Sequence, residues 1–257
     1  MVRLYRILHE GAARYVAEKD GTWRLVEGDV FGKYSAGAEI SREGAKLLAP
    51  CDPSKIVCVG LNYKDHAAEQ DKPLPAEPLI FIKPSTSVIG PAQAIEAPAW
   101  AGRVDHEAEL ALVIGKTTRN VKAARAYDHI LGLTCVNDVT ARELQSKDGQ
   151  YTRSKGFDTF GPVGPCIAVG LDGRDLQVQA FVNGDLRQNS RSRELIFTIP
   201  ELVEFISSVM TLLPGDIIST GTPSGIGPIR PGDSVTVHVE GVGALTNPVV
   251  LREGSAS

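Results

Sequence analysis

Alternating apolar and polar side chains predict several strands in this chain of 257 residues. In "DSVTVHVEG" (233–241), every second residue from Val235 to Val239 is a valine, which is the period of a half-buried strand. The stretch "RYVAEKDGTWRLV" (14–26) predicts a hairpin of two short strands around an Asp-Gly turn. Further strands are predicted from "KIVCVGLNY" (55–63), "GPCIAVG" (164–170), "LQVQAFVNG" (176–184) and "GDIISTG" (215–221).

Helices are predicted in three segments. "NYKDHAAEQ" (62–70) indicates a short helix with Asn62 as its N-cap, and "RNVKAARAYDHI" (119–130) indicates a second. "IPELVEFISSVMTL" (199–212) indicates a third, with Pro200 in its first turn. The proline-rich "DKPLPAEP" (71–78) cannot form regular structure, so it predicts a surface loop.

The order of these elements predicts the fold class and the domains. Residues 1–50 indicate a small β-rich N-terminal domain, and the breakers in "APCDPSK" (49–55) indicate a linker to a larger domain at 51–257. The strands outnumber the helices and do not alternate strictly with them. We therefore expect a β-rich α+β sandwich or roll and not a doubly wound parallel sheet.

Composition and charge exclude some classes of function. The chain is 42% hydrophobic and carries a net charge of -4, so no basic surface predicts a nucleic-acid partner. Neither a signal peptide nor a membrane span is predicted, because no apolar run is long enough. Four cysteines lack the spacing of a metal site and predict reduced core residues of a cytoplasmic protein: Cys51, Cys58, Cys135 and Cys166.

Two acids interrupt an apolar strand in "VDHEAELALVIG" (104–115). Glu107 and Glu109 would point to the same face of that strand, where each raises the cost of ionising the other. Asp138 ends another apolar run in "ILGLTCVNDVTARELQ" (130–145). Three carboxylates without His or Cys partners suit Mg²⁺, Mn²⁺ or Ca²⁺ and not zinc. The alternative is a group of acids on a solvated strand face.

Basic and acid–base side chains accompany these acids. His66 and Glu69 lie one helical turn apart, a spacing that suits a general base with its orienting carboxylate, although on spacing alone an exposed pair without function is the more common explanation. Arg142 lies four residues after Asp138, and Lys155 precedes a glycine in a loop. Three acids, two bases and a divalent cation sum to +1, which would attract a small carboxylate or dicarboxylate.

The glycine-rich "STGTPSGIGP" (219–228) lacks the Lys-Ser/Thr of a P-loop and the pattern of a nucleophile elbow. Its glycines fit simple turns. Alternatively, they let backbone N–H groups and Thr222 approach a carboxylate.

Taken together, these segments resemble the fumarylacetoacetate hydrolase family in its smaller bacterial and mitochondrial form. The resemblance runs from about Lys55 to about Leu251. It rests on eight blocks in order: "VGLNYKDHAAEQ", "PLIFIKPSTSVIG", "VDHEAELALVIG", "NDVTARELQ", "RSKGFDTFGPVGP", "VNGDLRQ", "MTLLPGDIISTGTPSGIGP" and "PGDSVTVHVEGVGALTNPV".

The resemblance implies a mixed β-sandwich roll, usually a homodimer, with a small N-terminal domain. It implies an Mg²⁺ or Mn²⁺ site and a mobile lid dyad, together with substrate contacts. The matching positions are Glu107, Glu109 and Asp138 for the metal, His66 and Glu69 for the lid, and Arg142, Gln145, Lys155 and Thr222 for the substrate.

Three departures bear on the substrate. The chain is far shorter than the fumarylacetoacetase of tyrosine breakdown, which disfavours that enzyme itself. Relatives often carry an aromatic residue at the position of His106 and a tryptophan at that of Tyr151. The resemblance therefore leaves the identity of the substrate open.

Members of the family hydrolyse acylpyruvates, decarboxylate oxaloacetate or related dioates, or interconvert keto and enol forms. Our leading interpretation is an Mg²⁺-dependent hydrolase of acylpyruvate-type β-diketo acids such as acetylpyruvate or fumarylpyruvate. Here His66 with Glu69 activates water, and Lys155 assists catalysis at the cation. The close alternative is an oxaloacetate decarboxylase or a keto–enol tautomerase. A non-enzymatic protein that holds a structural cation or binds a small acid is disfavoured, because neither role needs a base.

Overall fold

The computed structural model describes residues 1–252, in which strands predominate. These strands are β1 (Val2–His9), β2 (Ala12–Lys19), β3 (Thr22–Gly28), β4 (Tyr34–Glu39), β5 (Lys46–Leu47), β6 (Lys55–Val59), β7 (Ile80–Pro84), β8 (Val88–Ile89), β9 (Ile95–Pro98), β10 (Val104–His106), β11 (Ala108–Ile114), β12 (Ile130–Asn137), β13 (Thr140–Ala141), β14 (Gly161–Val169), β15 (Gln177–Val182), β16 (Asp185–Arg191), β17 (Ile217–Ser219), β18 (Gly227–Ile229), β19 (Ser234–Val239) and β20 (Gly243–Arg252).

Four α-helices connect the strands: α1 (Lys64–Glu69), α2 (Arg142–Asp148), α3 (Thr152–Lys155) and α4 (Ile199–Val209). The prediction of α4 is confirmed, with Pro200 in its first turn and a capping box between Thr198 and Glu201. Short 3₁₀ helices cover Ser85–Ser87, Ala99–Ala101, Ala123–His129 and Ser192–Glu194.

The predicted helix at 119–130 is wrong in type and in length, since only a 3₁₀ helix forms within it. The reason lies in the neighbouring helix α4. The backbone N–H groups of Asn120, Val121 and Ala123 donate to α4, to the Ser207 carbonyl, the Ser207 hydroxyl and the Glu204 carboxylate. Asn120 also has a positive φ of 51°, so an α-helix cannot begin there.

The largest sheet has twelve strands, in the order β4-β3-β2-β1-β14-β12-β11-β17-β6-β7, with β5 and β8 attached at its side. The predicted hairpin is confirmed as β2 and β3, and its turn residues Asp20 and Gly21 both have positive φ. Because β1 pairs with β14, the N-terminal strands belong to the same sheet as strands of the predicted larger domain. The domain boundary at residue 50 stays a prediction.

A second sheet, in the order β16-β15-β19-β20-β9, covers one face of the large sheet. Side chains from both sheets form one apolar core, including Leu110 and Leu112 from β11 and Val178 from β15. The valines of β19 at positions 235, 237 and 239 are buried, as their spacing predicts. This is a β-rich α+β sandwich, and the predicted fold class is confirmed.

The third sheet has three strands, in the order β13-β10-β18, and lies beside the point where β10 gives way to β11. The four cysteines are buried and free, so their prediction as core residues is confirmed. Among residues 1–252, no helix is long and apolar enough to cross a membrane.

Candidate active site

The three predicted metal ligands meet where the chain passes between two sheets. Glu107 lies between β10, in the three-stranded sheet, and β11, in the twelve-stranded sheet. The prediction of one continuous strand carrying both acids is therefore wrong in this detail, because the chain changes sheet at Glu107. Glu109 follows in β11, and Asp138 comes directly after β12. All three are buried, and their ligand oxygens lie within 4.8 Å of one another.

Hydrogen bonds fix the backbone of this crossing point. The Glu107 N–H donates to the Asn137 side chain (3.0 Å), and the Asp138 N–H donates to the Glu107 carbonyl (2.9 Å). Two ligands that are distant in sequence are thus joined through their main chains, which sets their separation before any cation binds.

Glu109 has the environment of a cation ligand. Its Oε2 accepts hydrogen bonds from the Ser219 hydroxyl (2.5 Å) and the Gly221 N–H (2.9 Å), while Oε1 has no donor among residues 1–252. Burial, together with the nearby Asp138 charge, raises the pKa of Glu109 to about 8. A divalent cation would favour the ionised form, so the residues present fit a hard metal ion.

Gly221 has a specific reason to be glycine. Its φ is +98°, and a Cβ at this position would lie 2.8 Å from the Cβ of Asn62. The absence of a side chain lets its N–H reach Glu109.

Two basic side chains face the acids, the buried Lys155 and the partly buried Arg142. The Lys155 Nζ donates to Glu107 Oε2 (2.7 Å) and to Asp138 Oδ2 (2.5 Å). The Arg142 guanidinium donates to Glu107 Oε1 (2.5 Å) and to Gln145 Oε1 (2.6 Å). Burial opposes ionisation of Glu107, but the charges of Lys155 and Arg142 outweigh it and lower its pKa to about 2. Burial also tends to lower the pKa of Lys155, yet Asp138 and Glu107 raise it above its ordinary value.

Sequence reasoning missed two charged residues of this cluster, Lys83 and Asp105, which are both fully buried. The Lys83 Nζ donates to Asp138 Oδ1 (2.6 Å) and to the Val139 carbonyl (3.1 Å). Asp105 Oδ2 accepts from the Arg142 Nε (3.0 Å). A lysine inside the apolar run "LIFIKP" was the available signal for Lys83. Lys83 and Asp105 add one positive and one negative charge. Counting them therefore leaves the net charge of the three acids, two bases and a divalent cation at +1.

The buried His66 and the exposed Glu69 form an oriented pair. The Nδ1 of His66 lies 2.7 Å from Glu69 Oε2, and Glu69 Oε1 accepts from the Gly225 N–H (2.9 Å). Because a carboxylate only accepts, Nδ1 is assigned the proton, and Nε2 accepts from the Gln70 amide (2.8 Å). The burial of His66 argues against the alternative of an exposed pair.

The helix that carries His66 begins differently from the prediction. Its N-cap is Tyr63 and not Asn62, and no side chain caps it. Asn62 is instead buried, where it accepts from the Phe197 N–H (2.8 Å) and donates to the Thr220 carbonyl (2.7 Å). It therefore joins the start of α1 to the glycine-rich loop.

Some of these groups open onto a polar cavity of about 90 Å³. Six of the nine predicted site residues line it, together with Gln70, Phe81 and Tyr151; the six are His66, Glu107, Arg142, Gln145, Lys155 and Thr222. The Thr222 hydroxyl donates inward to the Ala108 carbonyl (2.9 Å), so it can meet a ligand only as an acceptor. His106 does not line the cavity, although Tyr151 does.

Comparisons with known proteins agree with this geometry. Residues 55–250 match the profile of the fumarylacetoacetate (FAA) hydrolase C-terminal domain. Over 224 residues the chain is 43% identical to the mitochondrial oxaloacetate tautomerase fahd2 of Xenopus laevis, a match covering 82% of this chain and 70% of that protein.

Solved structures give the same family. The 2-hydroxyhepta-2,4-diene-1,7-dioate isomerase of Mycobacterium marinum is 45% identical with a TM-score of 0.91, over 99% of this chain and 100% of that one. The maleylpyruvate hydrolase of Sphingobium sp. SYK-6, in complex with manganese(II) and pyruvate, is 29% identical with a TM-score of 0.81, over 98% and 100%. The chain belongs to the fumarylacetoacetate hydrolase family, whose members are enzymes.

Proposed function

We propose that this protein is a metal-dependent enzyme that enolises small 2-oxo acids, and that keto–enol tautomerisation of oxaloacetate is its main reaction. One observation carries the proposal: a base, two cationic side chains and Glu107, one of three clustered carboxylates, line a polar cavity of only about 90 Å³. A four-carbon dioic acid suits this space better than an acid with a long acyl chain. The oxaloacetate tautomerase among the relatives supports the same substrate class.

Each side chain has a defined part in this reaction. Glu107, Glu109 and Asp138 would hold Mg²⁺ or Mn²⁺, whose Lewis acidity would acidify the C3 proton of a 2-oxo acid. Arg142 and Lys155 attract and orient the substrate carboxylates, assisted by Gln145. His66 Nε2 accepts the C3 proton of the keto form, and Glu69 on Nδ1 stabilises the imidazolium that results. The imidazolium then returns a proton to the C2 oxygen, which gives the enol and the neutral imidazole. Gln70 donates to Nε2, so it must turn away before proton transfer.

Hydrolysis of acylpyruvates, the leading interpretation from sequence, is the second candidate. The pairing of His66 with Glu69 favours it, because an oriented imidazole can also activate water for attack on a carbonyl. The maleylpyruvate hydrolase among the similar structures supports this chemistry. The homodimer and the cytoplasmic location stay predictions.

The test compares oxaloacetate, acetylpyruvate and fumarylpyruvate with Mg²⁺, with Mn²⁺ and after chelation. Oxaloacetate tautomerisation is followed by the ultraviolet absorbance of the enol, and hydrolysis by release of pyruvate. We expect metal-dependent tautomerisation to be fastest, and H66A to lower its kcat by roughly 10²–10⁴-fold, the usual range for a general base. Mn²⁺ affinity should stay at the wild-type value.

The matched control is H9A, because His9 lies on β1 outside the cavity. Full activity in chelated protein, or unchanged tautomerisation in H66A, would contradict the proposal. Faster turnover of an acylpyruvate would favour the second candidate.

A further inference from the structure

Gln188 is a fully buried amide on β16 that uses its whole hydrogen-bonding capacity. Its Oε1 accepts from the Ala108 N–H (2.9 Å) and from His106 Nδ1 (3.1 Å). Its Nε2 donates to the Thr222 hydroxyl (2.8 Å) and to the Pro223 carbonyl (2.8 Å). Two acceptor and two donor sites are the complete set for a glutamine side chain.

The hydrogen-bond partners of the Gln188 amide lie on two segments of the site. His106 and Ala108 are the two neighbours of Glu107, so Oε1 holds the chain on both sides of a predicted metal ligand. Glu107 itself belongs to neither strand, and regular ladder hydrogen bonds therefore do not fix it. Nε2 holds the loop in which Thr222 lines the cavity. One side chain thus connects the strand break to the substrate loop.

No other residue type reproduces this connection at position 188. Asparagine is one methylene shorter, and glutamate has no donor for Thr222 and Pro223. A methionine has nearly the same length but removes all four hydrogen bonds, leaving the Ala108 N–H without its buried partner.

We propose that Gln188 is a positioning residue that fixes Glu107 and the Thr222 loop relative to each other. Without Gln188, the three carboxylates should bind a cation less tightly, and the Thr222 loop should bind the substrate acid less tightly. The inference rests on the proposed function only in taking the three carboxylates as a cation site.

The experiment measures Mn²⁺ binding by calorimetry on the full chain after chelation and dialysis, together with Tm and with kcat and KM for oxaloacetate. We expect Q188M to weaken Mn²⁺ affinity by about 10–100-fold, as other residues behind metal ligands do, and to raise KM. H106F removes one of the four hydrogen bonds and provides a milder variant if Q188M does not fold. It should weaken Mn²⁺ affinity by less than tenfold.

Asn247 provides the matched control for the loss of a buried amide. Its Nδ2 donates to the carbonyls of Gly90 (2.9 Å) and Gln93 (2.9 Å), and it lines no part of the cavity. N247L should lower Tm and leave Mn²⁺ affinity and KM unchanged.

The outcomes separate the two proposals. Wild-type Mn²⁺ affinity in Q188M and H106F, with only Tm reduced, would overturn the role of Gln188. Wild-type protein that binds Mn²⁺ without converting any 2-oxo acid would contradict the proposed function, and the affinity comparison would still decide the role of Gln188. Failure of the wild type to bind Mn²⁺ would overturn both.

Discussion

At the scale of single residues, Asp138 is a carboxylate held between two buried lysines. Each of its oxygens accepts a hydrogen bond from a buried ammonium, Oδ1 from Lys83 and Oδ2 from Lys155. A buried lysine is costly unless it is paired, so removing Lys83 or Asp138 would leave the other without its buried partner. The orientation of Asp138 toward the cation site follows from this pairing.

The substitution K83M tests that dependence. Removing a positive charge should by itself strengthen cation binding, whereas freeing the Asp138 side chain should weaken it. We expect positioning to dominate, because both oxygens of Asp138 are fixed by short hydrogen bonds, and Mn²⁺ affinity to fall about tenfold or more. Calorimetry on chelated protein measures it. K72M is the control, since Lys72 borders the cavity from an exposed position. Tighter Mn²⁺ binding in K83M would show that charge outweighs positioning.

The sequence could reveal only those site residues that differ in polarity from their neighbours in the chain or that lie at a helical spacing. Glu107, Glu109 and Asp138 stand out because acids interrupt apolar runs, and His66 with Glu69 stands out through helical spacing. Asp105 and Gln188 follow no such pattern. The Arg142 that joins Asp105 to the site lies 37 residues away, and the partners of Gln188 lie 34 residues or more away, on other elements. Only the folded sheets bring these partners together.

At the scale of elements, Asp216 connects the start of β6 to the start of β17, the parallel pair beside β11. Its Oδ1 accepts from the Ser54 N–H (2.9 Å) and hydroxyl (2.6 Å), and its Oδ2 from the Lys55 Nζ (2.6 Å) and the Leu213 N–H (2.8 Å). Burial opposes its ionisation, but these donors outweigh it and lower the pKa of Asp216 below its ordinary value.

D216N should destabilise the protein by about 3 kcal/mol at neutral pH, because asparagine keeps only one acceptor oxygen. It leaves either the Lys55 ammonium and the Leu213 N–H, or the Ser54 donors, without an acceptor. A lowered folded-state pKa means that Asp216 stabilises the fold above its unfolded pKa of about 3.9 and loses this effect as the pH falls through the lower, folded value. The difference between wild type and D216N should therefore narrow below about pH 4.

Urea unfolding at several pH values measures this difference. D175N is the control, because Asp175 pairs with Arg191 at the surface, where an ion pair contributes about 1 kcal/mol or less. A constant difference between wild type and D216N down to acidic pH would rule out this role for Asp216.

The elements predicted correctly were those with strong local signals. The Asp-Gly hairpin, the valine-rich β19 and the capped α4 each satisfy their own backbone and periodicity requirements. The segment at 119–130 does not, because its N–H groups bind α4 side chains and carbonyls, which no local pattern reveals. The change of sheet at Glu107 was also not predicted, because no local pattern in the sequence reveals it.

At the scale of the whole molecule, two cavities of different character share one wall. The polar cavity of about 90 Å³ and an apolar cavity of about 650 Å³ are both lined by Phe81 and Tyr151. Their rings meet edge to face with centroids 5.2 Å apart, and the Lys155 Nζ lies 5.1 Å from the Phe81 ring centre. Leu79, Ile82 and Met210 line the apolar side. On the proposed function, we expect the aromatic pair to limit the length of an acid that can bind at the carboxylates.

Shortening Tyr151 should join the two cavities, because the phenol ring is one half of the wall. We expect Y151A to raise kcat/KM for acylpyruvates with longer apolar acyl chains, relative to oxaloacetate, by about tenfold or more. Each methylene that enters an apolar pocket contributes about 1–3 kcal/mol to discrimination. The measurement is a series of acylpyruvates of increasing chain length, assayed with Mg²⁺ in wild type and variant.

F157A is the control for the loss of an aromatic ring. Phe157 packs against Trp100 and Phe160 and lines neither cavity, so F157A should keep the wild-type order of substrates. If Y151A loses activity on all substrates in equal proportion, the ring supports the site without setting chain length. A rising preference for longer chains in Y151A alone would instead show that the aromatic wall keeps the wild-type enzyme selective for small acids.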